Sequence, residues 1–197
     1  MKPKTIFIIF IAIVIAGIAV SLYLYFIYSQ QAHGLSGASR NVIPYEGPPR
    51  VTEKNTSLKI KLLFSSEEQA YLVLEERKII TSAKLADQCF DVVVELIKGP
   101  ANEHLIATLP KDTKLKSLFI ADDGGAYIDF SNELVANHIG GVEEEMLTVY
   151  SIINTLMINF PTIKKVQILV DEKQRDTLSG HLYIGVPLTF NHKIMLP

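Results

Sequence analysis

The stretch YIDFSNELVANHIGGVEEEMLTVYSIINTL, Tyr127 to Leu156, decides how the chain is read. It opens in a strand-like alternation, passes Asp129, Asn137, His138 and the pair Gly140-Gly141, and reaches three consecutive glutamates ahead of a long apolar run. These polar residues either build a reaction site or start a helix. Met146, Val149, Tyr150, Ile153, Leu156 and Phe160 recur at helical spacing, which predicts a helix from near Gly141 to Asn159, ended by Pro161. Carboxylates in a first helical turn are favoured by the positive end of the helix dipole, each by roughly 0.3–1 kcal/mol at the surface. Successive helical side chains are splayed by about 100°, so Glu143, Glu144 and Glu145 are expected to diverge rather than converge on an ion. No HExxH pair of ligands is present, and the expected reading is a helix start.

Upstream of this stretch, KLKSLFIAD and AYIDF flank Asp122-Asp123-Gly124-Gly125, a hairpin signal because a primed turn needs positive φ. The two aspartates are then turn formers. Downstream, KKVQILV alternates Val166, Ile168 and Val170 inward, and a turn through Asp176 to Gly180 leads to a final extended segment near His181 to Val186. Nearer the N-terminus, Leu58, Ile60, Leu62 and Phe64 alternate against Lys59 and Lys61, and SSEEQ turns this strand into a second one, AYLVLEERKI. Thr81 or Ser82 offers an N-cap for a helix carrying Leu85, Cys89, Val92, Val93 and Leu96 on one face, stopped by Gly99-Pro100. The fold class is α/β in the α+β sense: a small mixed or antiparallel sheet packed by two helices, with no internal repeat and no second folded domain.

Residues 1–57 have a different character. Thr5 to Tyr28 carries no charge, and 24 residues of helix reach about 36 Å, enough for a hydrocarbon core of about 30 Å. Tyr23, Tyr25, Phe26 and Tyr28 suit a lipid–water interface, and the run exceeds a signal peptide's apolar region. Residues 5–28 are therefore expected to be a transmembrane helix. Lys2 and Lys4 precede it whereas the next basic residue is Arg40, which places residues 1–4 in the cytoplasm and the remainder outside, a single-pass inner-membrane topology. Residues 29–57, with SGAS and Gly47-Pro48-Pro49, read as a flexible linker to an outer domain at 58–197.

A formal net charge of −2 without a Lys/Arg stripe argues against a nucleic-acid partner. Cys89, the single cysteine, sits in an apolar helical pattern and reads as a small buried hydrophobe. Ser131, Ser151 and Ser179 lie in no Gly-x-Ser-x-Gly elbow, and neither a Walker loop nor a Gly-x-Gly-x-x-Gly is present. His104, His138, His181 and His192 read individually as surface or hydrogen-bonded structural residues. His181 carries more interest because the turn Thr177-Leu178-Ser179-Gly180 precedes it. No catalytic, cofactor-binding or metal-binding residue is assigned.

The ordered segments LIKGP, AYIDFS, GGVEEEMLTVYSIINTL, FPTIKKVQILV and TLSGHLYIGVPL resemble the GerMN domain of sporulation, germination and other bacterial envelope proteins, over roughly Leu58 to Leu188. In that family the segment before Thr-Leu-x-Gly-His usually bears glycine, whereas this chain reads VDEKQRDTLSGH. The resemblance implies an α/β fold related to ring-building modules, in which copies assemble edge to edge into homo-oligomers. It also implies a non-enzymatic role, without cofactor, binding or assembling other envelope proteins. The alternative is an extracytoplasmic cell-wall-binding or hydrolytic protein using His138, His181 or Glu143 to Glu145, which requires the fold to bring those residues together in a concave site.

Overall fold

The computed structural model describes Val20, residues 56–67 and residues 70–195. Apart from Val20, the expected transmembrane segment 5–28 lies outside the described residues, as does most of the linker. Among the described residues no helix is long and apolar enough to cross a membrane. The chain divides into two compact units, 1–50 and 51–197, and every helix and strand named here belongs to the second.

The linker was expected to run to residue 57, but β1 (Thr56–Ser66) already includes Thr56 and Ser57, each paired with the end of β2 (Leu72–Thr81). The hairpin forms as the alternation predicts, with Ile60, Leu62 and Phe64 fully buried. Leu63 departs from the alternation. It is also fully buried, on the opposite face, in a smaller cluster with Leu72, Leu147 and Ile194. A two-residue strand β3 (Leu105–Ile106) completes a three-stranded antiparallel sheet in the order β2-β1-β3.

A second, four-stranded sheet replaces the single sheet expected. β4 (Leu115–Ile120) and β5 (Gly125–Phe130) form the anticipated hairpin, and β6 (Lys165–Val170) joins β5 in parallel. β7 (Lys173–Gln174) closes it antiparallel to β6, so the sheet is mixed. Gly124 makes the β4–β5 turn possible: its φ is +81°, and a Cβ there would lie 2.7 Å from the Thr162 carbonyl oxygen. Parallel neighbours need a crossover, here supplied by α2 (Glu133–Ala136), a short helix not anticipated, and α3 (Val142–Asn159). The extended segment expected at His181 to Val186 is not a strand; that stretch is held to β6 by Gln167, whose Nε2 donates to the Ile184 carbonyl at 2.8 Å.

α1 (Leu85–Ile97) buries Cys89, Val92, Val93 and Leu96, as its spacing predicts. Its N-cap is Lys84 rather than Thr81 or Ser82, although Ser82 Oγ accepts the Lys84 N–H at 3.0 Å. Gly99, at φ +86°, ends the helix and turns its carbonyl to Arg77 Nη2 at 2.5 Å. Arg77 also donates to Glu75, whose Oε2 takes the N–H groups of Ala101 and Asn102 at 2.9 and 3.0 Å. The LIKGP segment is thus fixed by an ion pair on β2.

α3 differs most from expectation. An apolar stripe predicts one buried face, but every residue from Leu147 to Leu156 except Tyr150 is buried, including Thr148, Ser151, Asn154 and Thr155. Met146 and Tyr150, expected on the stripe, are only partly buried. The helix packs against β1, β6 and α1 at once, so no side is left for solvent. Thr155 Oγ1 accepts the Leu63 N–H at 3.1 Å, and Asn159 accepts from Lys61 N–H at 2.9 Å and donates to its carbonyl at 2.6 Å. Side chains four apart on a helix rise about 6 Å, close to the two-residue repeat of a strand. This match lets α3 satisfy backbone groups on β1.

The β6–β7 hairpin turns on Asp171 (φ 50°) and Glu172 (φ 63°), the positive-φ pair of a primed turn, without glycine. Left-handed backbone costs a non-glycine residue about 1–2 kcal/mol, partly offset by glycine's greater unfolded entropy. Among the described residues the exposed Glu172 side chain has no hydrogen-bond partner, while its N–H donates to Asp129 Oδ1 at 2.8 Å. Glu172→Gly is expected to stabilise the protein by roughly 1 kcal/mol, read as a raised urea midpoint with unchanged slope. An unchanged or lowered midpoint would show that this turn is not strained.

Candidate functional site

The three glutamates do diverge, but the third does not face solvent. Glu145 is fully buried, one turn before Val149 on the face that Ile152 and Leu156 continue. Its Oε1 accepts the N–H groups of Leu178 and Ser179 at 2.7 and 3.0 Å. Its Oε2 accepts the Ser179 hydroxyl at 2.8 Å and the His181 N–H at 2.9 Å, with His181 Nδ1 at 3.2 Å. One carboxylate therefore organises the whole TLSGH turn. Burial alone would raise its pKa, but the N–H and hydroxyl of Ser179 and the N–H groups of His181 and Leu178 outweigh it and hold the group at about 2.

The expectation that Glu145 merely opens a helix is thereby corrected. The His181 ring bonds no backbone group among the described residues; its Nδ1 meets the Glu145 carboxylate that holds the turn. Ser, His and Glu converge here without forming a nucleophilic relay. Such a relay needs the hydroxyl on the imidazole and the imidazole on the carboxylate; here Ser179 and His181 both address the carboxylate.

His138 occupies a second polar centre. Gly140 N–H donates to its Nδ1 at 3.0 Å, so the neutral ring carries its proton on Nε2, 3.1 Å from Thr148 Oγ1. The Thr148 hydroxyl donates to the Thr108 carbonyl at 2.6 Å. The Thr108 hydroxyl in turn reaches Ser151 Oγ at 2.7 Å, and Ser151 donates to the Thr148 carbonyl at 2.8 Å. Burial holds His138 below the ordinary imidazole value, against the opposing pull of Glu145 and Glu144.

His138, Glu143 and Glu144 all line one open groove of about 530 Å³, together with Thr108, Lys111, Ile106 and Ile139. The remaining candidates are scattered. His104 lies exposed in a loop, and the His192 ring meets Phe190 at a tilt of 52°, with centroids 4.5 Å apart. Ser131 Oγ accepts the Lys114 N–H at 3.0 Å, and Asp123 pairs with Lys165 at 2.7 Å. Cys89 is buried, and burial pushes its thiol up to about 12, far from a reactive thiolate. Among the described residues no group of three or more His, Cys, Asp or Glu side chains is placed to hold a metal ion.

A family profile described as Germane, sporulation and spore germination, matches residues 24–176. The chain belongs to the Germane family. The match starts earlier and stops earlier than the resemblance in the quoted motifs: it takes in Glu145 and ends just before the turn that Glu145 holds. Among solved structures, the first GerMN domain of the sporulation protein GerM from Bacillus subtilis is similar at 23% identity and TM-score 0.54, covering 69% of this chain and 98% of that domain. The tandem GerMN domains of the same protein give 23% identity and TM-score 0.55 over 77% of this chain, which spans 51% of the tandem. These two likenesses show a shared fold. A Clostridium perfringens protein described as a lipoprotein is 31% identical, with 68% of this chain and 87% of that one covered and a TM-score of 0.49. No match was found among curated proteins.

The Germane chain's own periodicity held the missing signal for Glu145, because Glu145, Val149, Ile152 and Leu156 share the helical face that turns inward. For His138 no comparable signal exists, since its partners are backbone groups of Gly140 and, through Thr148, of Thr108.

Two outcomes follow from these geometries. Glu145 has its pKa lowered from 4.5 to about 2, so its contribution is present above the unfolded value and lost as pH falls from about 4.5 towards 2. It amounts to about 3 kcal/mol. Glu145→Gln should remove that acid-side slope from urea-unfolding titrations and accelerate amide exchange at Ser179 and His181; an unaltered slope would refute the clamp. His138, whose pKa is depressed, contributes stability above about pH 6.5 that declines as pH falls through its lower folded value. A protonated Nδ1 cannot accept the Gly140 N–H. The Gly140 amide resonance should therefore titrate with the His138 ring below pH 6.5, and independent titration would contradict the assigned bond.

Proposed function

We propose that this Germane-family chain is a single-pass protein of the bacterial inner membrane whose outer domain binds or helps assemble other envelope proteins, in sporulation or germination. Membership of the family over residues 24–176 is the observation that carries this reading. The apolar run at 5–28 supplies the anchor in this reading, with residues 1–4 in the cytoplasm and the domain outside. A tether raises local concentration at the membrane and lets a weak protein contact become effective without new contacts. Assembly with further copies of the chain is compatible with the same role.

The domain acts without catalysis in this reading. The polar convergence closest to a reaction site, Glu145 with Ser179 and His181, has its carboxylate oxygens taken by backbone N–H groups and the Ser179 hydroxyl. The hydrolytic alternative would need Ser179 to abandon that carboxylate for the imidazole.

Cross-linking in intact cells that make the full chain, followed by identification of the linked species, tests the proposal alongside deletion of the gene. Defined envelope proteins or further copies of the chain should be recovered, and deletion should impair spore formation or germination. Recovery of an unlinked chain together with a deletion strain of unchanged envelope and spores would overturn it.

A further inference from the structure

The groove beside His138 combines features that point to one kind of occupant. Its rim carries two large aliphatic side chains left in water, Ile139 at 86% exposure and Ile106 at 49%. Its walls carry Glu67, Glu143 and Glu144 against a single ammonium, Lys111, a net charge of −2 with His138 neutral. Several acids elsewhere in the domain are paired internally, Glu75 with Arg77, Glu95 with Arg77 and Lys98, Glu76 with Lys59 and Asp123 with Lys165, while others such as Glu103 and Asp122 are not, among the described residues. Glu67, Glu143 and Glu144 have no ion-pair partner among the described residues, and Lys111 has none either. Burial keeps the His138 ring below its ordinary pKa, so the groove does not neutralise itself near pH 7.

We propose that this groove docks an extended segment of a partner protein that presents lysine or arginine beside apolar side chains. Lysine and arginine suit both halves of the lining, because their methylene stems cover aliphatic surface while the charged head reaches a carboxylate. An anionic membrane surface or a nucleic acid would be repelled by the same field. A dedicated metal site is not built here, since among the described residues no His, Cys, Asp or Glu cluster is placed to ligate an ion. The inference rests on the assembly role proposed above and names the chemistry of the partner.

A photo-reactive amino acid placed at Ile139 of the full chain in producing cells, with Phe119 on the other sheet as control site, tests it by mass spectrometry of the adducts. Phe119 is 64% exposed and does not line the groove. The expected result is an adduct at position 139 whose linked peptide carries lysine or arginine. Joint substitution Glu143→Lys with Glu144→Lys should reduce it at least tenfold, and Glu143→Gln with Glu144→Gln, which keeps the shape, should reduce it severalfold. Both double variants must keep the parental unfolding midpoint. If they do not, Lys111→Glu serves instead and should strengthen the adduct. Adducts at position 119 but not 139 would overturn the groove and leave the assembly role standing, whereas adducts at neither position would count against both. A lipid adduct at 139, or a peptide adduct indifferent to charge reversal, would also overturn the proposal.

Discussion

The domain depends on a helix that has no solvent face. From Leu147 to Leu156 the central helix is buried almost all round, between β1, β6 and α1. A helix so placed must satisfy every polar side chain it carries, because an unpaired buried donor or acceptor costs about 1–3 kcal/mol. Nearly all its partners are backbone groups of remote segments. Thr148 donates to the Thr108 carbonyl, Asn154 exchanges two bonds with the Asn191 backbone, Thr155 accepts from Leu63, and Asn159 bonds both backbone polar groups of Lys61. The requirement that buried polar groups be paired is therefore also what fixes the loops and one strand in place.

Carboxylates extend this scheme to the turns that lack regular structure. A turn buried against a helix has N–H groups without ladder partners, and an ionised carboxylate can take several of them at once. Glu145 does this for residues 178–181, and Glu75, with Arg77 beside it, does so for residues 99–102. The two differ in how the charge is balanced. Arg77 neutralises Glu75 directly and lies 5.6 Å over the Phe64 ring, whereas Glu145 is balanced by N–H and O–H dipoles and the partly exposed His181 ring.

Local periodicity made much of this architecture legible. The β1–β2 and β4–β5 hairpins, the face of α1, and the inward set Val166, Ile168 and Val170 all follow from two-residue or helical spacing. What periodicity could not supply was the number of sides buried. Helical spacing of apolar residues implies one covered face, yet Thr148, Ser151, Asn154 and Thr155 are buried like Val149, because β1, the Thr108 segment and the Asn191 segment cover what looks in sequence like a polar flank. The same reasoning hid Glu145: a first-turn carboxylate is explained by the dipole alone, and only the remote turn reveals its use. Turn chemistry failed in the opposite sense at Asp171 and Glu172, which adopt positive φ without the glycine that usually announces it.

The arrangement also separates residues that build the domain from residues free to meet something else. Four of the segments by which the family resemblance was read are bound inward: LIKGP to Arg77 through the Gly99 carbonyl, the glutamate triplet's last member to TLSGH, and the Asp129 carboxylate of AYIDFS to the Glu172 N–H. Groups committed to such bonds could engage a partner only by leaving backbone unsatisfied. In the assembly role proposed above, recognition would fall to side chains that these internal bonds do not use, and near α3 those include Ile139, Glu143 and Glu144. The stretch that starts the long helix thus turns one glutamate inward to hold the fold and leaves its two neighbours lining the groove without an ion-pair partner among the described residues.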